Sequence, residues 1–348
     1  MSIQAGAAAR GGWGWLLILT LGLIGCSGDD VAVPTEDNAE ADSPVVVATT
    51  SVVCDLTQQI AETTVALTCL LNPGADPHTY QVRPSDRQAI EQADLILYDG
   101  YNAAPSLIKM IEDGPPEATR LAVYETAVPT PLMATHEHDH GAEADHSDGD
   151  EHSHGNVADA DLVPDPHIWH SATHNAAMVE VIAAALAKAN PDQATFYTEN
   201  SDRLTAQFAE IDGWIQAQAA TVPADQRQLI TTHDAFGYFA DAYGFEVKGA
   251  LSGLSTDEKP TPGALTALVD RVKAAQVPAI FAEATTNSQL IESVAKDAGV
   301  TVAQPPLFVE GPGGSGSDAE TVQAMLVFNT CAVVGALGGS CDRSTAPL

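Results

Sequence analysis

The stretch that most limits how this chain can fold is residues 191 to 220, PDQATFYTENSDRLTAQFAEIDGWIQAQAA. Pro191 suits the first turn of a helix, where a missing N–H costs nothing. Phe196, Leu204, Phe208, Ile211 and Ile215 recur near helical spacing, so one helix runs to about Ala220. At 1.5 Å per residue it is about 40 Å long, enough to lie along two lobes as a rigid spine. On either side of it, short apolar segments alternate with helical ones. Before it the pattern predicts strands at 45 to 53 (VVVATTSVV), 63 to 71, 94 to 98 and 121 to 124, with helices at 55 to 61, 84 to 93, 107 to 111 and 175 to 189. After it come strands at 228 to 232, 245 to 249, 279 to 282 and 301 to 303, with helices at 236 to 243, 261 to 275, 288 to 298 and 318 to 335. Such alternation specifies two α/β lobes with ligand-facing loops at the carboxyl ends of their strands.

The first 26 residues stand outside this pattern. Arg10 is a short basic flank, 13 to 24 an apolar run of signal-peptide length, and Leu23-Ile24-Gly25-Cys26 resembles the lipobox of bacterial lipoproteins, whose cysteine is lipidated. An uncleaved anchor is the competing reading, although the run is short for a span. Residues 27 to 43 are acidic and read as a tether. The formal charge of −33 repels nucleic acid and anionic lipid, which excludes both as partners. Beyond Cys26, the cysteines are Cys54, Cys69, Cys331 and Cys341. An even number in an exported chain favours disulfides. The short-range pairs Cys54 with Cys69 and Cys331 with Cys341 are the natural pairing of three that four cysteines allow.

Residues 135 to 161, THEHDHGAEADHSDGDEHSHGNVADAD, interrupt the first lobe. His136, His138, His140, His146, His152 and His154 stand here among acids with almost no residue that could pack. The composition is that of a disordered insertion able to bind metal loosely.

Chemistry concentrates elsewhere. Asp76-Pro77-His78 and Asp165-Pro166-His167 each place an imidazole after a stiff turn, followed two residues later by an aromatic, Tyr80 or Trp169, that could wall a pocket. His233 follows Thr231-Thr232, and Glu310 ends an apolar segment in LFVEGPGG. Three imidazoles and a carboxylate make a four-coordinate shell for Zn²⁺ or another borderline ion. His170 and His174, at i and i+4, are alternative ligands. The glycines at 311 to 316 lack the Gly-Lys-Ser/Thr of a phosphate cradle.

NPGADPHTYQVRPSD, DPHIWHS, THDAFGYFADAYGF, EKPTPGALTALVD and IFAEATTNSQL, in that order, resemble the zinc- and manganese-binding lipoproteins of ABC uptake transporters, over about Val45 to Leu337. The resemblance implies an α/β fold of two lobes, each with a central mostly parallel β-sheet flanked by helices, joined by one long rigid helix. Its boundaries would be 1 to 26 signal peptide and lipobox, 27 to 43 tether, 44 to 190 first lobe, 191 to 220 linking helix, and 221 to 348 second lobe. It implies His78 and His167 as the first two ligands. His233 stands at a third position that is histidine in zinc-type members and usually glutamate in manganese-type ones, and Glu310 stands where the family generally has aspartate. The implied role is non-catalytic: an extracytoplasmic, lipid-anchored monomer that captures Zn²⁺, with Mn²⁺ as the alternative cargo, and delivers it to an ABC permease and its ATPase. A secreted zinc hydrolase, with Asp234 or Glu283 as base, is the competing class, and HExxH is absent.

Overall fold

The computed structural model describes residues 43–114, 117–135 and 162–348. The lipobox with Cys26, the tether up to residue 42 and the histidines of the insertion lie outside the described residues.

The first lobe opens with β1 (Val45–Ala48), α1 (Ser51–Ala61), β2 (Ala66–Cys69), α2 (Pro84–Gln92), β3 (Leu95–Tyr98), α3 (Pro105–Glu112), β4 (Thr119–Ala122) and α4 (Val123–Ala127). Its four strands pair in parallel, in the order β2-β1-β3-β4. Successive side chains of a strand face opposite sides. Val46, Leu95 and Leu97 therefore point into the main core, while Val47 and Ile96 enter an outer cluster with Leu71, Ile90, Leu107 and Ile111. β5 (Met133–Thr135) and β6 (Leu162–Pro164) pair antiparallel, Met133 opposite Pro164, on either side of the His/acid insertion.

After α5 (Ala172–Ala189) and α6 (Ala194–Ala219), the second lobe repeats the plan with β7 (Gln228–His233), α7 (Gly237–Tyr243), β8 (Glu246–Ser252), α8 (Pro262–Ala275), β9 (Ala279–Ile280), α9 (Gln289–Ala298), β10 (Thr301–Val302) and α10 (Val322–Ala336). β7 pairs in parallel with β8, and β9 with β10. The Phe281 N–H donates to Ile230 O at 2.9 Å, which sets β9 beside β7. Faces alternate here too: Leu229 and Phe281 turn to the main core, Ile230 and Ile280 to an outer cluster with Leu268, Val272, Ile291 and Val294. The main core does not stop at either lobe. It runs from Leu56 through Met178 and Ile182 of α5 and Leu204, Phe208 and Ile211 of α6 to Phe239, Met325 and Leu326. The spine thus shares one close-packed interior with both lobes, which resists wide hinge motion.

Besides shifts of a few residues at other boundaries, the sequence reading is revised at three elements. The run from 45 to 53 is not one strand: it breaks after Ala48, and Thr50 accepts the Val53 N–H to cap α1. A cap and burial on both flanks outweigh the β preference of Val52 and Val53. The strand expected at 121 to 124 ends at Ala122, and Val123 and Tyr124 begin α4. The closing helix starts at Val322 rather than 318, where Thr321 takes the Ala324 N–H and Asp55 of α1 takes the Val322 N–H at 2.9 Å.

Cys54 is joined to Cys69, tying α1 to the end of β2, and Cys331 of α10 to Cys341.

Candidate metal site

The carboxyl ends of parallel strands point their loops into the cleft between the lobes, where ligands of α/β sheets gather. His233 is the last residue of β7, and His78 lies in the loop after β2. His167 precedes a short 3-10 turn, Ile168–His170, that leads into α5, and Glu310 follows the segment after β10.

Each approach is held by local chemistry. The Asp165 Oδ1 accepts both the backbone N–H of His167, at 2.9 Å, and its Nδ1–H, at 2.8 Å. Asp76 Oδ1 accepts the backbone N–H of His78 at 2.9 Å. The Asp-Pro-His sequence is thus an Asx turn that sets the histidine's direction. His233 Nδ1 lies 2.6 Å from Glu283 Oε1, which also takes the Thr232 hydroxyl proton. Around Glu310, Trp169 Nε1–H donates to Val309 O at 2.9 Å, and Ser51 Oγ donates to Glu310 O at 3.4 Å. Gly311 adopts φ +132°, and a Cβ there would collide with the Ser51 hydroxyl, so this close approach requires glycine.

The four side chains converge. His167 Nε2 stands 3.2 Å from both His78 Nε2 and His233 Nε2. His233 Nε2 is 3.3 Å from Glu310 Oε1, and His78 Nε2 is 3.7 Å from Oε2. All four donor atoms fall within 4.8 Å of one another. Tetrahedral coordination with bonds of about 2.0–2.1 Å places ligand atoms about 3.3 Å apart, so these spacings fit one small cation. With Nδ1–H directed at carboxylates, His167 and His233 turn their Nε2 lone pairs toward the same point.

The electrostatics also call for a positive charge. Glu310 is buried and neither carboxylate oxygen has a hydrogen-bond partner; burial pushes its pKa up to about 8, against the pull of His233. Burial holds His78 and His167 well below the usual histidine range, reinforced by the neighbouring imidazoles. Burial would lower His233 as well, but Glu283 and Glu310 reverse the sign and push it up to about 9. Without a metal, a proton on the His233–Glu310 pair supplies part of the missing charge. A divalent ion supplies it fully and satisfies both orphaned oxygens.

The remaining candidates sort clearly. His170 stacks on Phe236 with ring centroids 4.5 Å apart, and His174 meets Tyr238 edge-on at 5.1 Å; neither joins the cluster. Trp169 lies 5.3 Å from the His167 ring, as a wall would. Tyr80 does not: its hydroxyl donates to Asp86 at 2.9 Å and its ring belongs to the outer cluster of the first lobe. Sequence reasoning passed over Asp165 and Asp76 as orienting groups, although the aspartate two residues before each histidine was the signal. Glu283, considered as a hydrolytic base, is engaged by His233 and Thr232. Its place beside His233, 50 positions apart, leaves no local trace in the sequence.

The profile of the family described as zinc-uptake complex component A, periplasmic, matches residues 46–336. The manganese-binding lipoprotein MntA of Halalkalibacterium halodurans is 29% identical over 92% of this chain and 96% of its own length. The zinc-binding protein TroA of Treponema pallidum is also 29% identical, over 92% of this chain and 96% of its own. The solved structure of the periplasmic zinc-binding protein TroA superposes with a TM-score of 0.73 at 28% identity, covering 85% of this chain and 99% of that one. A cleft able to hold one divalent ion, and a family match that spans residues 46–336, give it a binding rather than a catalytic role: the chain belongs to the family of periplasmic solute-binding proteins that serve zinc and manganese ABC transporters.

Proposed function

We propose that this protein captures zinc outside the cytoplasmic membrane through His78, His167, His233 and Glu310 and hands it to an ABC permease driven by its ATPase. The convergence of three imidazole nitrogens and one carboxylate without a hydrogen-bond partner, at tetrahedral spacing, carries this reading. Three nitrogen donors and one carboxylate suit zinc, whereas manganese favours oxygen-rich, six-coordinate shells. Cys26 would hold the chain at the membrane by lipid, and residues 27 to 43 would give it reach. The protein would work as a monomer, its histidine-rich insertion gathering metal at lower affinity.

Manganese is the second reading, supported by the manganese-binding relative and by the presence of a carboxylate ligand. Competition in vitro does not discriminate well, since almost any nitrogen–oxygen site prefers zinc to manganese. The test is uptake. Cells lacking this chain should lose high-affinity uptake of labelled zinc and retain that of manganese, and His78→Ala, His167→Ala and His233→Ala chains should not restore it. Loss of manganese uptake with zinc uptake intact would replace the first reading by the second.

A further inference from the structure

We infer that Thr256 holds the His78 loop shut from across the cleft, making that loop the door through which the ion leaves. The inference rests on the four-ligand reading above and concerns how the same site lets go.

The four ligands are unequal. All four side chains are buried, the His78 ring with 3% of its surface exposed, but His78 is the one whose residue as a whole is not fully enclosed. His167 and His233 are each braced at Nδ1 by a carboxylate, and Glu310 sits behind the Trp169 and Ser51 contacts. His78 stands on the irregular segment between β2 and α2 and is oriented by its backbone N–H on Asp76. The ligand with the least support is therefore the one carried on a loop.

Asp76 faces two ways. Its Oδ1 holds His78, while its Oδ2 accepts the hydroxyl proton of Thr256, which lies in the second lobe after β8. That second loop is itself braced: the Gly253 N–H donates to Glu258 Oε2 at 2.9 Å and the Asp257 N–H to Ser255 Oγ at 3.2 Å. Gly253 O accepts the N–H of Asp234, the residue after His233, at 3.0 Å. The loop that carries Thr256 is thus fixed beside His233, since Asp234 is held by Gly253 and Gly253 by Glu258, and Thr256 in turn holds Asp76, which orients His78. Because the spine shares its core with both lobes, a small displacement of the loop after β8 releases Asp76 without any wide opening. His78 then swings out and the ion loses its least braced ligand first. Thr256 is thus a positioning residue: it touches no metal and acts through Asp76.

The experiment compares wild type, Thr256→Val and Thr256→Ser as full mature chains loaded with zinc. Zinc dissociation is followed by stopped flow with excess chromophoric chelator, alongside equilibrium affinity and melting of the metal-free protein. Val keeps the shape and removes the O–H; Ser keeps the O–H. Thr256→Val should release zinc about tenfold faster, the scale of losing a partner that orients a ligand. Thr256→Ser should stay within about twofold of wild type, and the metal-free melting temperatures should coincide. If Val disturbs folding, Thr256→Ala gives the same comparison. Release from Thr256→Val at the wild-type rate, or equal acceleration by Ser and Val, would overturn the latch while leaving the site intact. Wild-type chain that holds no ion tightly would overturn the ligand set and the latch together.

Discussion

Metal capture at this site should be strongly coupled to protons, and pH is the cleanest perturbation. The cluster prepares for a cation by holding a proton: His233 is pushed up to about 9 by Glu283 and Glu310, and Glu310 up to about 8 by burial. The two groups are 3.3 Å apart and titrate as a pair. A metal-bound imidazole or carboxylate must be deprotonated, so each proton held by the free site is displaced on loading. The sign follows directly: raised pKa values in the free site make affinity fall as pH falls through about 9. His78 and His167 are held well below the usual range and are already neutral, so they add nothing near pH 7. One displaced proton means tenfold in affinity per pH unit, about 1.4 kcal/mol. From pH 6 to pH 8 the zinc affinity should therefore rise about a hundredfold, and more where Glu310 also gives up a proton. Chelator competition across this range, corrected for the chelator's own titration, measures the slope. Calorimetry in two buffers of different ionisation heat counts the protons. A flat affinity between pH 6 and 8, with heats independent of buffer, would refute the reasoning.

Other consequences concern single groups. Glu283→Gln should weaken zinc binding about 10- to 100-fold by loosening His233, and it should also lower the proton count in the same calorimetric experiment. Deleting 136 to 154 should remove weakly held extra zinc and leave one tight equivalent, read by elemental analysis after dialysis. Reducing the Cys54–Cys69 bridge, with its 15-residue separation, should cost about 3 kcal/mol of stability in denaturant melts. Asp55 is pushed up to about 6 by burial although it caps α10 through the Val322 N–H. A raised carboxylate pKa penalises the folded state once the group ionises, so Asp55→Asn should stabilise the metal-free protein at pH 8 by up to about 3 kcal/mol and have little effect at pH 4. Equal effects at the two pH values would show that burial of the charge is not the cause.

Much of this was legible one residue at a time. Two runs of strand and helix on either side of a long helical stretch determined two α/β lobes and a spine, because side-chain periodicity reports local structure directly. Asp-Pro-His twice, a histidine after a buried strand and a glutamate before glycines named four candidate ligands, because stiff turns and strand ends are where fixed side chains can stand. What lay beyond the sequence was everything set by distance in space. Only tertiary structure placed Glu283 on His233 and Thr256 on Asp76, groups 50 and 180 positions apart. Only the packing could decide that His233 is raised while His78 and His167 are lowered, since the sign depends on which carboxylates share the same dry volume. A sequence specifies which groups are available; the packing of two lobes on a common core decides which of them face a single ion.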